Sequence, residues 1–350
     1  MISFLRWFGR SLFALGVLGL LACGVVIWIF TGWRTEKFKA LDAGSQIAET
    51  AVGPIEYAET GSGPAVLVFH GSPGGYDQAL LIGKSLADAG YRVIAPSRPG
   101  FLRTPLKSGV LFDEQADAMA ALLDTLGVQD AAVIGFSTGA QVASRFALRH
   151  PDRTRGLVLV SPVTRQYLYN PQEDDPPLLG EASLTDLTGD MGAWVAVEMA
   201  GRDPGRVLAG AIARDTDLDK AAQAKLVKDV LGNPQQLEFF HEMLGTQAPL
   251  SPREIGTRTD LSMLRGLLPV AYENIKAPTL VVYGSADRSK KWADPTVITG
   301  KLPAAEVVEV EGAGHLVWFG PNAEAMRERV LGFLGELPTD APPPDEALPE

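Results

Sequence analysis

A chain of 350 residues, 46% of them apolar, is long enough to bury one large core with an insertion, or two ordinary ones. Its 31 basic and 42 acidic residues leave a formal net charge of −11 and no concentrated basic patch, which argues against nucleic acid as a partner. The single cysteine, Cys23, excludes internal disulfides, catalysis by paired thiols and cysteine-based zinc sites, and the four histidines, at 70, 150, 241 and 315, show no metal-ligand spacing.

From Ser11 to Trp33 no residue is charged. As a helix at 1.5 Å per residue such a run reaches about 35 Å, enough to cross a bilayer. Arg6 and Arg10 precede it, Arg34, Lys37 and Lys39 follow it, and Trp7, Trp28 and Trp33 suit the headgroup level. The run is longer than the apolar core of a cleaved secretory signal, and no small-residue cleavage site follows it. Leu20-Leu21-Ala22-Cys23 only faintly resembles a lipoprotein cleavage box, since the chain stays apolar from Gly24 to Phe30. Residues 1–35 are therefore expected to be an uncleaved, single-pass transmembrane anchor with the lipid bilayer as partner. Basic residues flank both ends, so the side carrying the rest of the chain is not decided.

After a polar linker, strands are predicted at Ile47–Val52, Ile55–Glu59, Ala65–Phe69, Tyr91–Ala95, Ala131–Ile134 and Gly156–Val160. Helices fall between them at Asp77–Ala89, Phe112–Leu126 and Thr138–Arg149. Strands that are apolar throughout and alternate with helices indicate an α/β architecture, a mostly parallel sheet covered on both faces. The same alternation resumes with Thr279–Tyr283, a helix at Pro295–Lys301, a strand at Glu306–Val310 and a helix at Asn322–Leu334. Between about 164 and 273 the strand signal vanishes and helical patterns such as Leu218–Leu231 and Pro234–Leu244 replace it. The economical reading is one domain over 36–337 carrying a helical lid. The tail, 338–350, with five prolines and four carboxylates, is expected to be disordered.

The sharpest chemical signal is Gly135-Phe136-Ser137-Thr138-Gly139, set between a predicted strand and a predicted helix. A serine at such a turn projects its hydroxyl above the sheet edge, flanking glycines avoid backbone clashes, and the helix N-terminus favours a developing oxyanion. A second loop, His70-Gly71-Ser72-Pro73-Gly74-Gly75, follows the strand ending at Phe69. There an acyl hydrolase needs a second backbone donor, so the Ser72 and Thr138 N–H groups are the expected oxyanion pair. The alternative is a glycine-rich turn that merely starts a helix, with His70 fixing the loop.

The order and spacing of these segments, together with Tyr91-Arg92-Val93-Ile94-Ala95-Pro96-Ser97-Arg98-Pro99-Gly100-Phe101, resemble the α/β-hydrolase family over roughly Ile47 to Leu337. Members commonly carry Asp where Ser97 stands and a further Gly where Leu102 stands. The His70–Gly75 loop is also similar to that of proline iminopeptidases. The resemblance implies an α/β-hydrolase fold with Ser137 as nucleophile, which argues against family members that use Asp, the dehalogenases and epoxide hydrolases. It places the general base after the last strand, where Gly312-Ala313-Gly314-His315 stands. It places the acid after the strand following the lid, where Gly284-Ser285-Ala286-Asp287-Arg288 supplies Asp287. The loop after the earlier strand, Ser161-Pro162-Val163-Thr164, holds no carboxylate, and Asp294, just before Pro295, is explained as a helix cap.

The function expected is therefore a membrane-anchored serine hydrolase acting on a small-molecule ester or related acyl bond through Ser137, His315 and Asp287, without a cofactor. A proline iminopeptidase-like aminopeptidase is the alternative, although Glu181, Glu198 and Glu238 in the lid form no clear acidic cluster for a substrate amine. A catalytically silent binding protein of the same fold is the rival from another class. His150 is expected to cap a helix end and His241 to pack in the lid. Substrate identity and oligomeric state are not readable.

Overall fold

The computed structural model describes residues 2–166 and 186–338, so Glu181 and the tail beyond 338 lie outside the described residues. It opens with α1 (Ile2–Ala43), 42 residues without a break. The stretch Leu15–Ala43 holds an 18-residue window of mean hydropathy 2.3 and is a candidate membrane span, and Leu18, Leu20, Leu21, Val25, Ile27 and Trp28 are exposed. The polar linker expected after residue 35 is instead the last part of this helix. Glu36, Lys37, Ala40 and Leu41 are good helix formers, and Lys39 pairs with Glu36 one turn away at 2.8 Å. Here α1 stops being solitary, because Phe30 is fully buried against Trp33 and Trp194, and Arg34 bonds Asp190 at 2.7 Å.

The sheet contains β1 (Gln46–Thr50), β2 (Gly53–Thr60), β3 (Ala65–Phe69), β4 (Arg92–Pro96), β5 (Ala131–Phe136), β6 (Thr154–Val160), β7 (Thr279–Gly284) and β8 (Glu306–Val310), in the spatial order β1-β2-β4-β3-β5-β6-β7-β8. The hairpin β1–β2 and the β2–β4 pair are antiparallel, and every other pair is parallel. This is the mostly parallel sheet expected. From β3 the chain steps outward to β4 and then crosses back to β5 on the other side of β3. Such a reversal leaves a crevice at the C-terminal ends of β3 and β5, the usual place for a ligand in an open α/β sheet.

Successive residues of the central strands point to opposite faces. Leu67, Phe69, Val133 and Leu159 join the core under α3 (Phe112–Thr125) and α4 (Gly139–Arg149). Val66, Val68, Ile134 and Val160 join the core under α2 (Tyr76–Asp88) and, farther along the chain, the last helix (Ala323–Gly335). Because both faces are buried, these strands read as continuous apolar runs.

Between β6 and β7 stand α5 (Asp186–Arg202), α6 (Pro204–Asp215), α7 (Lys220–Leu231), α8 (Pro234–Gly245) and α9 (Glu254–Arg265). Asp203, Asp219 and Asn233 cap α6, α7 and α8 by accepting bonds from backbone N–H groups of the first turn. Leu208, Ile212, Leu226, Val230 and Phe240 form a small core of their own, closed by Phe319 from the loop after β8. Among the described residues, the last two helices are α10 (Thr296–Thr299) and α11 (Ala323–Gly335).

Candidate active site

Ser137 sits on the turn from β5 into α4 with φ of 54°, in the left-handed region that a side chain rarely adopts. Strain of this kind costs on the order of 1–3 kcal/mol and persists only where the surroundings enforce it. They do so by close approach. A Cβ on Gly135 would lie 2.6 Å from the Ala140 Cα, and one on Gly139 would lie 2.4 Å from the His70 carbonyl oxygen. The turn is held from below by the Ser137 N–H, which donates to the Val160 carbonyl at 2.9 Å.

His315 and Asp287 arrive from the loops after β8 and β7. The His315 Nε2 stands 2.9 Å from the Ser137 Oγ, and its Nδ1 stands 2.8 Å from the Asp287 Oδ2. Asp287 is buried, and its other oxygen accepts the Ser289 N–H at 2.6 Å, which fixes the carboxylate plane. The Ser161 hydroxyl donates to the His315 carbonyl at 2.7 Å, and the imidazole packs on the Phe136 ring at 5.5 Å between centroids. Burial disfavours the charged imidazole, but the Asp287 carboxylate, helped by Asp215, more than offsets it and holds the His315 pKa above the usual 6.5. In this arrangement Nδ1–H donates to Asp287 and Nε2 is left to accept the serine proton.

The loop after β3 lies directly against this turn. His70 is fully buried: Nδ1 donates to the Gly71 carbonyl at 2.7 Å and Nε2 accepts the Arg98 N–H at 3.0 Å. Burial, and then the nearby Arg98 charge, keep its pKa well below 6.5, so this ring is neutral and structural. Ser72 lies in the same loop with its hydroxyl buried and without a partner among the described residues. Thr138 is joined to the loop through Arg98, whose Nη2 donates to Thr138 Oγ1 at 3.1 Å and whose Nε donates to the His70 carbonyl at 3.2 Å.

Arg98 is the supporting residue that sequence reading passed over. It is fully buried, pairs with Asp260 of α9 through two bonds of 2.9 and 2.5 Å, and lies over the Phe101 ring. An arginine just beyond an apolar strand, at the sheet edge where the serine loop ends, was the available signal. A comparable pair, Arg253 with Asp77, ties the segment before α9 to the first turn of α2. Where the resemblance leads one to expect Asp, Ser97 donates to the buried Glu56 carboxylate at 2.7 Å, so a carboxylate still stands behind that turn.

The competing residues lie elsewhere. Asp294 accepts the N–H and hydroxyl of Thr296 and pairs with Arg165 at 2.6 Å. The His150 ring, expected to cap carbonyls, instead stands 3.0 Å from Asp117, whose carboxylate also holds Arg149. His241 bonds the Ala200 carbonyl at 3.1 Å within the lid, Glu198 pairs with Arg202, and Glu238 is exposed.

Comparison with known proteins is consistent with this layout. The profile of the alpha/beta hydrolase fold family matches residues 64–320. A 2-hydroxy-6-oxo-6-phenylhexa-2,4-dienoate hydrolase of Burkholderia cepacia is 29% identical over 293 residues, covering 80% of this chain and 91% of its own. Among solved structures, an alpha/beta hydrolase fold protein from Nakamurella multipartita superposes with a TM-score of 0.73 at 32% identity, over 83% of this chain and 98% of its own. An esterase from Exiguobacterium antarcticum shares the fold, with a TM-score of 0.56 at 18% identity over 83% and 99% of the two chains.

Proposed function

Because the chain belongs to the alpha/beta hydrolase fold family, we propose that it is a membrane-anchored serine hydrolase cleaving a small-molecule ester, with Ser137 as nucleophile, His315 as base and Asp287 as the acid that holds it. The observation that carries this reading is the unbroken line from Asp287 Oδ2 through the imidazole to Ser137 Oγ, with steps of 2.8 and 2.9 Å. His315 takes the Ser137 proton as the hydroxyl oxygen attacks the acyl carbon, and returns it to the leaving alkoxide. Water, deprotonated by the same ring, then attacks the acyl carbon, and the ring gives that proton to the Ser137 oxygen as the carboxylic acid leaves. The Ser72 and Thr138 N–H groups stabilise the oxyanion of both tetrahedral intermediates, and Asp287 stabilises the imidazolium that accompanies each of them.

A neutral substrate is favoured over one that carries a carboxylate. The dienoate named for the Burkholderia cepacia relative carries a carboxylate, which wants a cation in the pocket. The two arginines buried beside the serine loop, Arg98 and Arg253, are already matched by Asp260 and Asp77. An aminopeptidase would need the opposite charge, and of the lid glutamates considered for it Glu198 is paired with Arg202 and Glu238 is exposed. For α1, its length, hydropathy and bare apolar surface support insertion into a bilayer. Reading 36–337 as the catalytic unit with its lid at 164–273 accords with this, although α1 runs through that boundary.

The test is turnover of purified full-length protein, in detergent, on p-nitrophenyl esters of graded chain length, amino-acid arylamides and the phenylhexadienoate, with Ser137→Ala as the blank. Ester cleavage that vanishes in the variant is expected. Ester cleavage equal in wild type and Ser137→Ala would end this reading.

A further inference from the structure

Asp215 closes α6 and, with the two residues after it, passes between the loops that carry Asp287 and His315. On one side Thr216 forms an antiparallel bridge with Asp287, the Asp217 N–H donates to the Ala286 carbonyl at 2.9 Å, and Arg288 Nη1 donates to the Ala213 carbonyl at 2.9 Å. On the other side the Leu316 N–H donates to Asp215 Oδ2 at 3.2 Å. The approach there is so close that a Cβ on Gly314 would stand 2.3 Å from the same oxygen. The lid thus delivers a second carboxylate to the backbone of the histidine loop, while Asp287 holds the ring.

We propose that Asp215 is a positioning residue for His315, fixing the 314–316 loop to the lid and adding a second negative charge behind the imidazole. The proposal rests on the serine hydrolase reading above. Burial raises the Asp215 pKa from 3.8 to about 6; Asp287 pushes the same way, while His315 and the Leu316 and His315 amides oppose it. Among the described residues, the charged groups on the flanking segments include Arg214 and Asp217 beside it and Arg288, Lys290 and Lys291 on the turn after Asp287, where Lys290 lies 3.3 Å from Asp217. Above about pH 6 the carboxylate is ionised and favours the imidazolium. Below it the charge is gone and that support for the imidazolium is lost. His315 and Asp215 therefore titrate as a linked pair.

The experiment is an NMR titration of the His315 ring in full-length Ser137→Ala protein, with and without Asp215→Asn, beside pH–rate profiles of the single Asp215→Asn variant. With four histidines in the chain, substitution assigns the signals. Asparagine keeps an oxygen for the Leu316 N–H and removes the charge. The His315 pKa should fall by about half a unit or more, and the acid limb of kcat/KM should move to lower pH by the same amount. Asp215→Ala should in addition lower kcat on the order of ten- to a hundred-fold with little change in KM, as the ring loses its aim. An unchanged His315 titration and an unchanged acid limb in Asp215→Asn would overturn the proposal. If that variant does not fold, the Ser137→Ala titration decides alone: the His315 shifts must show a second inflection near the Asp215 pKa, and a single-step curve overturns it. Hydrolysis that survives Ser137→Ala would instead sink the catalytic reading, and the titration would still report on Asp215.

Discussion

At the scale of single residues, the site turns on how two aspartates are satisfied. Asp287 gives one oxygen to the His315 ring and the other to a backbone N–H, whereas both oxygens of Asp294 are spent on Thr296 and Arg165. Asp287→Asn should therefore cut turnover by roughly four orders of magnitude, as expected when the wrong tautomer is held. Asp294→Asn should lower thermal stability slightly and leave turnover near wild type. The reverse order in steady-state kinetics would remove Asp287 from the proposed set. A pH consequence follows from the same pair. His315, as the proposed base, works only when neutral, and its pKa stands above 6.5, so activity should be complete well above that value and fall as pH drops through the raised pKa. In Asp287→Asn, burial is left largely unopposed, so the residual activity should have its acid limb displaced to lower pH. A profile whose acid limb moves upward would contradict this account of the charge balance.

Among the elements, the one joining lid to serine loop is the Arg98–Asp260 pair. Both partners are buried, so removing one strands the other's charge at a cost of about 3–5 kcal/mol, while replacing both by apolar residues can be close to neutral. Arg98→Met should show this loss in urea melts, and Arg98→Met with Asp260→Leu should regain much of it. Turnover should stay low in both, because the Thr138 and His70 bonds made by Arg98 are gone in each. Recovery of turnover along with stability would show that Arg98 only glues the lid down. The same elements explain what was legible in the sequence. Central strands such as Val66–Phe69 and Leu157–Val160 are apolar on both faces, and helices α2, α3 and α4 follow them at regular distances. By contrast α5 carries Gly189, Gly192 and Gly201 and α9 carries Gly256, Thr257 and Thr259, all weak helix formers, so these helices depend on packing that the sequence alone does not display. Ser137, Asp287 and His315 could be picked out because each follows a readable strand. Asp215 could not, since it lies in the lid and meets the histidine loop 101 residues later only through the fold.

For the molecule as a whole, the decisive question is where the proposed anchor ends and the body begins. The uncharged run stops at Trp33, which invites a boundary at 35, yet α1 continues to Ala43 and its residues 30–34 are part of the body. Asp190 of α5 is fully buried; its carboxylate accepts the Ser251 N–H and hydroxyl at 2.8 and 2.7 Å and takes its charge partner from Arg34 at 2.7 Å. Phe30 is buried beside Trp194 of the same helix. A chain starting at Glu36 loses the cation and the aromatic contact together. Burial of a phenylalanine is worth about 1.5–3 kcal/mol. A charge-assisted bond to a buried carboxylate adds roughly 1–3 kcal/mol, taken at the lower end because the Arg34 side chain is about one-third exposed. A chain starting at Trp28 keeps both and sheds most of the bare apolar surface. Full-length protein should sediment with membranes and resist carbonate extraction. The chain from Trp28 should be soluble, with a melting temperature and ester turnover close to full length. The chain from Glu36 should melt earlier and turn over more slowly, since α5 is the lid helix it unsettles, and Arg34→Met in the full-length chain should reproduce part of the loss. Equal melting and turnover for the two shortened chains would show that α1 is a tether alone and contributes nothing to the lid.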